Sequence, residues 1–358
     1  MGEISAFFKP ILVPMKRVYF ERLEGIPLIP LLLPNCQEDH PTRQLFQKEA
    51  FRDLKDPLVE VVTDPAWADV HLLPHNYPLV STRVDYLRQC QETATRHGKR
   101  IVVFWNGDGT GPVSMKNAVV FRTSQYESKL RKNEHIMPAY AEDLKGKGLF
   151  VRDKTDASPV VGFCGWAQCK NFKNVVGSFL QAFPHEAYAL ITGYPQSRSF
   201  IKGLTLRRRI LPRLAKSTLI RPNFILRSSH SAHAATIRLD PAQARREYTE
   251  NLLSSDFALC IRGDGNYSLR FYEALSLGRV PILLDTDVRL PLAEIVRYSS
   301  FILAISIADL DRIDEIVADN WAHTSDQRWF MMQVEARNAF EKYLSAPRYL
   351  AYAVEHLF

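Results

Sequence analysis

Residues 260–287 read Cys-Ile-Arg-Gly-Asp-Gly-Asn-Tyr-Ser-Leu-Arg-Phe-Tyr-Glu-Ala-Leu-Ser-Leu-Gly-Arg-Val-Pro-Ile-Leu-Leu-Asp-Thr-Asp. The apolar run Phe257–Ile261 predicts a short strand, which ends in a Gly-rich turn, Arg262-Gly263-Asp264-Gly265-Asn266. A helix is predicted from Ser268 to Leu277, stopped by Gly278, with the next strand at Val280–Leu284. Strand, turn and helix N-terminus make an anion site, because unpaired backbone N–H groups and the helix dipole both face the ligand. The glycines are expected to supply positive φ and a close backbone approach to phosphate. Arg262 and Arg270 flank the point, and guanidinium forks suit phosphate oxygens. Glu273, three residues after Arg270, shares its helix face. A carboxylate there suits the two hydroxyls of a ribose. The stretch reads as a nucleoside-diphosphate pocket built from Arg262, Gly263, Gly265, Asn266, Ser268, Arg270 and Glu273.

The run Arg262 to Pro281 resembles the signature of the exostosin family of glycosyltransferases in its bacterial-type form. Five further stretches resemble the same family in the same order. They are Trp67-Ala-Asp-Val-His-Leu-Leu-Pro74, Val102-Val-Phe-Trp-Asn-Gly-Asp108, Val120-Phe-Arg-Thr-Ser124 with Asn133-Glu134, Val161-Gly-Phe-Cys-Gly-Trp166 and Arg221-Pro-Asn-Phe-Ile-Leu-Arg227. The resemblance covers residues 60–290. It implies a glycosyltransferase-B fold, with two Rossmann-like domains facing a cleft, and inverting transfer from a nucleotide sugar with uridine preferred. Spacing alone reaches only an α/β protein with a phosphate site.

The alternation of apolar strands with helical patterns supports that α/β reading. The chain has 358 residues, room for two domains. The expected division is an acceptor domain over 1–150, a nucleotide-sugar domain over 151–325, and C-terminal helices over 326–358 packing back across both. The weakly apolar stretch 141–159 is the predicted linker. Strands are expected at Ile29–Leu33, Val59–Val62, Val70–Leu73, Ile101–Trp105 and Val119–Arg122. Helices are expected over 42–54 and 85–97. In the second half the pattern predicts a strand from Val160, a helix over 174–183, a strand at Ala189–Thr192, a strand at 223–226 and a helix over 241–253.

Hydrophobic content of 46% and aromatic content of 11% exclude a mainly disordered chain. The net charge of +7 suits phosphorylated ligands or a membrane surface. Without a groove-reading motif it does not indicate nucleic acid. Five cysteines, at 36, 90, 164, 169 and 260, form no disulfide framework, and Cys164 and Cys169 fit neither a zinc ribbon nor a redox pair. The N-terminus is no secretory signal, since Lys9, Pro10, Pro14 and Lys16 break its apolar residues. A cytoplasmic enzyme is expected, in contrast to the anchored, luminal form the resemblance brings from animals.

Other candidates follow strand ends. Gly165 and Trp166 are expected to border the nucleotide, with Asn171 and Lys173 just after them. Asn106-Gly107-Asp108-Gly109-Thr110-Gly111 reads as a cleft-facing loop, in which Asp108 either deprotonates the acceptor or stabilises its own turn. His75, just beyond a strand end, is the other candidate base, with His135 behind it. The stretch 198–227 carries nine Lys or Arg and no acid. It reads as a contact for an anionic membrane or glycan, or as a solvated face. Asp285 and Asp287 lack a third ligand, and with Arg262 and Arg270 neutralising the leaving diphosphate no metal is expected. The functional expectation is transfer from a UDP-sugar, with no further cofactor, to a glycan or lipid-linked glycan in cell-surface polysaccharide synthesis. A nucleotide-sugar enzyme without an acceptor, such as an epimerase, and a non-catalytic partner subunit remain open.

Overall fold

The structure, a computed structural model, describes residues 15–38, 46–144, 151–168, 172–230 and 236–358. At 172–175 and 178–179 it describes the backbone alone. In the first half, β1 (Lys16–Tyr19), α1 (Leu33–Cys36), β2 (Val59–Val61), β3 (Val70–Leu72), α2 (Tyr77–Val80), α3 (Val84–Arg96), β4 (Ile101–Trp105), β5 (Ala118–Arg122) and β6 (Glu134–Ile136) follow one another. Their strands form one sheet in the order β2-β1-β3-β4-β5-β6, parallel throughout. The second half runs β7 (Val160–Trp166), α4 (Phe172–Thr192), α5 (Gly203–Leu214), β8 (Arg221–Arg227), α6 (Pro241–Leu253), β9 (Phe257–Cys260), α7 (Leu269–Ser276), β10 (Val280–Asp285) and β11 (Leu303–Ser306). These strands form a second parallel sheet, β11-β10-β9-β7-β8. In both sheets the first strand lies between the second and the third, so the order reverses there. In open α/β sheets ligands sit beyond the carboxyl ends of strands at such a reversal. The molecule is an α/β protein of two Rossmann-like domains in the glycosyltransferase-B manner.

Local chemistry explains the elements. The run Ile-Val-Val-Phe at β4 is buried on both faces, as a central parallel strand must be. On α3, Tyr86, Leu87, Cys90 and Ala94 form the buried stripe, and Gly98 closes the helix at φ +65°. Asp240 caps α6 by accepting from the Gln243 N–H at 2.8 Å, with Pro241 in the first turn. Ser268, at the start of α7, makes no side-chain cap, so the first N–H groups of that helix keep open partners.

Beyond β11 come α8 (Ile313–His323), α9 (Asp326–Ala339) and α10 (Ala346–His356), the last two joined by a π-turn at Phe340–Leu344. Trp321 of α8 and Trp329 of α9 enclose Phe257 of the second domain. By contrast α10 returns to the first domain. Its Tyr349, Leu350, Ala353 and Val354 share a core with Val18, Leu72, Phe104 and Phe121. The Tyr349 hydroxyl donates to the Ile136 carbonyl at 2.9 Å.

Three local expectations are corrected, and one strand is added. The strand expected at Ala189–Thr192 is the last turn of α4, which continues through Pro184. A four-residue apolar run carries no period of its own and joins whatever precedes it. Ile29–Leu33 is no strand, because Pro30 opens a 3-10 turn that leads into α1. A strand not expected from the sequence, β1, lies beside β3 in the sheet. Of the helix expected over 42–54, residues 42–45 lie outside the described residues and Gln47–Phe51 form a 3-10 turn.

Candidate active site between the domains

A cavity of about 600 Å³ opens between the two sheets' carboxyl ends. The first domain contributes Asn106, Gly107 and Asp108 after β4, and the second contributes Cys164 to Trp166, Arg207, Arg227, Gly263, Ser268, Arg270 and Glu273. Each half thus presents strand-end loops to the same space, which is where this architecture places ligands.

The signature divides between two tasks. Its loop half docks the domains. Gly265 N–H donates to Asp108 Oδ1 at 3.1 Å, and Asn266 N–H donates to Ser124 Oγ at 2.9 Å. The Asn266 amide also donates to the Gln125 carbonyl at 3.1 Å. Arg262 Nη1 donates to the Tyr126 hydroxyl at 2.7 Å, while Nη2 holds the Ile201 carbonyl at 3.0 Å. Arg262 is outside the cavity lining, so the structure places it as a strut beneath the cleft instead of on the diphosphate. It does not pair with Glu273. Neither Gly263 nor Gly265 has positive φ. Gly265 is required for a different reason, since a Cβ there would lie 2.6 Å from Asp108 Oδ1. Asp287 also serves the domain contact, accepting from the Ser128 hydroxyl.

The helix half faces the cleft. Arg270 is 7% exposed and donates to the Cys164 carbonyl and, at 3.3 Å, to Asn251 Oδ1. Its guanidinium lies 4.5 Å from the Tyr248 ring centroid and 5.3 Å from that of Phe163. Arg207 lies against the same Phe163 ring at 5.6 Å. It donates to the carbonyls of Trp166 at 3.1 Å and Ile261 at 2.8 Å, and its Nε is buried without a partner. Burial, together with the Arg270 charge, pushes the Arg207 guanidinium down to about 10. Among the described residues neither arginine has a carboxylate ion-pair partner. One buried and one half-buried cation, held by carbonyls and ring faces beside an uncapped helix N-terminus, make a wall that favours a polyanion.

Arg245 behaves oppositely. It is clamped between Glu142 Oε2 at 2.6 Å and Glu273 Oε1 at 2.7 Å. Tyr248 donates its hydroxyl to Glu273 Oε2 at 2.6 Å, and burial raises that phenol far above its ordinary value. The carboxylates raise Arg245 despite the opposing effect of its burial. Glu273 is therefore a fixed acceptor on the cleft wall, charge-balanced by Arg245.

Gly165 and Trp166 line the cavity, and the Trp166 indole donates to the Gln168 carbonyl at 3.0 Å. Asn171 and the Lys173 side chain lie outside the described residues. His75 is not in the lining and is fully buried. Its Nε2 accepts from the Leu23 N–H at 2.9 Å and its Nδ1 faces the Pro27 carbonyl at 3.0 Å, which fixes a neutral tautomer. It is thereby withdrawn as a base. His135 stacks on Phe121 and is not in the lining either. In 198–227 the apolar residues Leu206, Ile210, Leu211 and Leu214 point into the domain core. Arg198, Arg209, Arg213, Arg221 and Arg227 pair with acids on neighbouring elements. That apolar face is closed to a membrane.

His75 carries a pH prediction. Burial lowers its imidazole below the ordinary value, so the unfolded chain takes up a proton near pH 6.5 before the native state does. Stability contributed here is complete above pH 6.5 and falls as pH drops below it, by up to about 1.4 kcal/mol per pH unit. Urea midpoints measured from pH 7.5 to 5.5 should decline less steeply in His75→Gln than in the wild type.

The family model for the exostosin GT47 domain matches residues 200–319, which span α5 through most of α8 and include the whole signature. The matched part of the second domain is similar to the exostosin glycosyltransferase family. A 100-residue stretch of this chain is 33% identical to the Exostosin-1 homolog of Caenorhabditis elegans, covering 28% of this chain and 25% of that protein. A 73-residue stretch is 29% identical to a probable glycosyltransferase of Arabidopsis thaliana, 20% of this chain and 16% of the other. The chain spans a quarter or less of these relatives' lengths. Among the described residues, no helix is long and apolar enough to cross a membrane.

Proposed function

We propose that this chain transfers a sugar from a nucleoside-diphosphate donor, a UDP-sugar by preference, to a hydroxyl of a glycan or lipid-linked glycan, with inversion and without a metal. The observation that carries this reading is the pair of buried Arg270 and half-buried Arg207, set in the cleft wall without carboxylate partners among the described residues, beside the bare N-terminus of α7. Together they meet the charge that develops on a leaving diphosphate. A single preorganised donor at such a point is worth about 3–4 kcal/mol. Glu273, already positioned by Arg245 and Tyr248, accepts from the ribose through its remaining lone pairs, and Trp166 borders the base or sugar.

Asp108 is the base in this reading. It lies on the opposite wall, at the end of β4, with Oδ1 held by the Gly265 N–H. Its other oxygen takes the proton of the acceptor hydroxyl, which attacks the anomeric carbon on the face away from the diphosphate. The free thiols Cys36, Cys90, Cys164 and Cys260 suit a reducing, cytoplasmic setting, where a role in cell-surface polysaccharide synthesis would draw on cytoplasmic donors.

Calorimetric titration with UDP, GDP, CDP, dTDP and ADP, in chelator, tests the donor pocket. Tight binding of one diphosphate supports the reading, and no binding by folded protein overturns it. Asp108→Asn should keep donor affinity and lower transfer by about 10²–10⁴-fold. An unchanged transfer rate would remove Asp108 from the mechanism.

A further inference from the structure

We propose that the first domain holds one zinc-class divalent cation on Glu21, His71 and Cys90, apart from the catalytic cleft. A carboxylate oxygen, an imidazole nitrogen and the thiol sulfur of these residues lie within 4.8 Å of one another. Three elements bring them together. Glu21 stands two residues beyond β1, His71 is on β3 beside Tyr19, and Cys90 is on the buried stripe of α3. The place lies beside the β1–β3 pair, where the strand order of the first sheet reverses.

The second observation is an unsatisfied imidazole. His71 is 1% exposed, and neither of its ring nitrogens has a hydrogen-bond partner. Buried polar groups in native proteins are almost always partnered, so an imidazole with two free nitrogens marks a missing partner. Glu21 Oε2 is buried without a partner as well. The other Glu21 oxygen accepts from the Thr93 hydroxyl at 2.8 Å, and the Glu21 carbonyl accepts from the Tyr86 hydroxyl at 2.7 Å. Such outer hydrogen bonds orient a ligating carboxylate.

The donor set selects the ion. One carboxylate, one thiolate and one neutral imidazole balance a divalent charge in a dry place. Sulfur and nitrogen ligands suit zinc, whereas calcium and magnesium take oxygen. Tetrahedral zinc holds its ligand atoms about 3.5 Å apart, so the three side chains close by small rotations and leave one position for water. None of the three lines the cleft. The ion would pin α3 to the sheet and supply no catalysis, which leaves transfer at Arg207 and Arg270 metal-independent.

The test uses the full chain, stripped with chelator and titrated with Co²⁺ and then Zn²⁺. Expected are one equivalent of metal, a sulfur-to-cobalt charge-transfer band, and displacement of cobalt by zinc. Cys90→Ser should abolish the band, and Thr93→Val, which keeps all three ligands, should weaken affinity by about 10–100-fold. Folded wild-type protein that binds no stoichiometric cobalt or zinc overturns the proposal, whatever the variants do. A charge-transfer band undiminished in Cys90→Ser overturns it too, because the thiolate then lies elsewhere. UDP affinity measured on stripped and loaded protein should be the same, which separates this site from the donor pocket.

Discussion

Arg270→Ala should lower sugar transfer by about 10²–10³-fold and weaken nucleoside-diphosphate binding at least tenfold, with the fold intact. The Arg270 guanidinium has no carboxylate partner, so its removal strands no buried anion. It vacates space beside Phe163 and Tyr248 and leaves the Cys164 carbonyl and Asn251 amide open to cleft water. The loss should therefore fall on kcat and on diphosphate affinity, with thermal unfolding moved by only a few degrees. Arg270→Lys should recover part of the affinity and little of the rate, because a point charge cannot span two phosphate oxygens as a fork does. Rates of UDP release from a UDP-sugar, with calorimetry on the same preparations, measure both quantities. Wild-type values in Arg270→Ala would remove the cleft wall from the mechanism.

Arg245→Met should do the reverse and strike stability first. Arg245 separates Glu142 and Glu273, both buried, and bonds to each. Deleting the cation takes the ion pair from Glu273 and one partner from Glu142 in the same desolvated space. Breaking a buried pair in this way costs about 3–5 kcal/mol. The sign of the pH dependence identifies the cause. In the variant the buried Glu273 carboxyl, without its cation, holds its proton more tightly when folded than when unfolded. The variant's stability should therefore improve as pH is lowered from 7 towards 5 and be lost again as pH rises. The additional change Glu273→Gln should recover much of the loss at pH 7. Urea denaturation of the three proteins at two pH values settles this. A pH-independent deficit would mean that Arg245 acts through packing against Phe46 and Tyr248 alone.

The two substitutions also separate the site's chemistry from its scaffold. The unpaired cations Arg207 and Arg270 are available to a ligand. The paired ones, Arg245 and Arg227, hold the wall on which the ligand would rest. Their sequence contexts do not distinguish these classes, since each is an arginine on or beside a helix or strand.

The sequence by itself determined the parallel α/β architecture and the neighbourhood of the site. The apolar run Ile101–Phe104, set off by Gly98 and Gly107, reads as a central parallel strand, and a strand–turn–helix with Ser268, Arg270 and Glu273 carries its own geometry, because i, i+3 spacing on a helix fixes a common face. These are local consequences of backbone period, which is why they were legible. What only the tertiary structure decided is which groups meet across the fold. Arg262 turned from phosphate ligand to strut because its partner, Tyr126, is 136 residues away. His75 lost its role because Leu23 and Pro27, some 50 residues earlier, take both its nitrogens. Arg207, read only as one of nine basic residues, became a cleft cation because α5 packs its apolar side inward and leaves that guanidinium against Phe163. Glu21, His71 and Cys90 converge although no spacing links them, since a parallel sheet brings β1 and β3 side by side across 50 residues of chain. Periodicity reports which face a side chain takes, and only the packed chain reports what stands opposite.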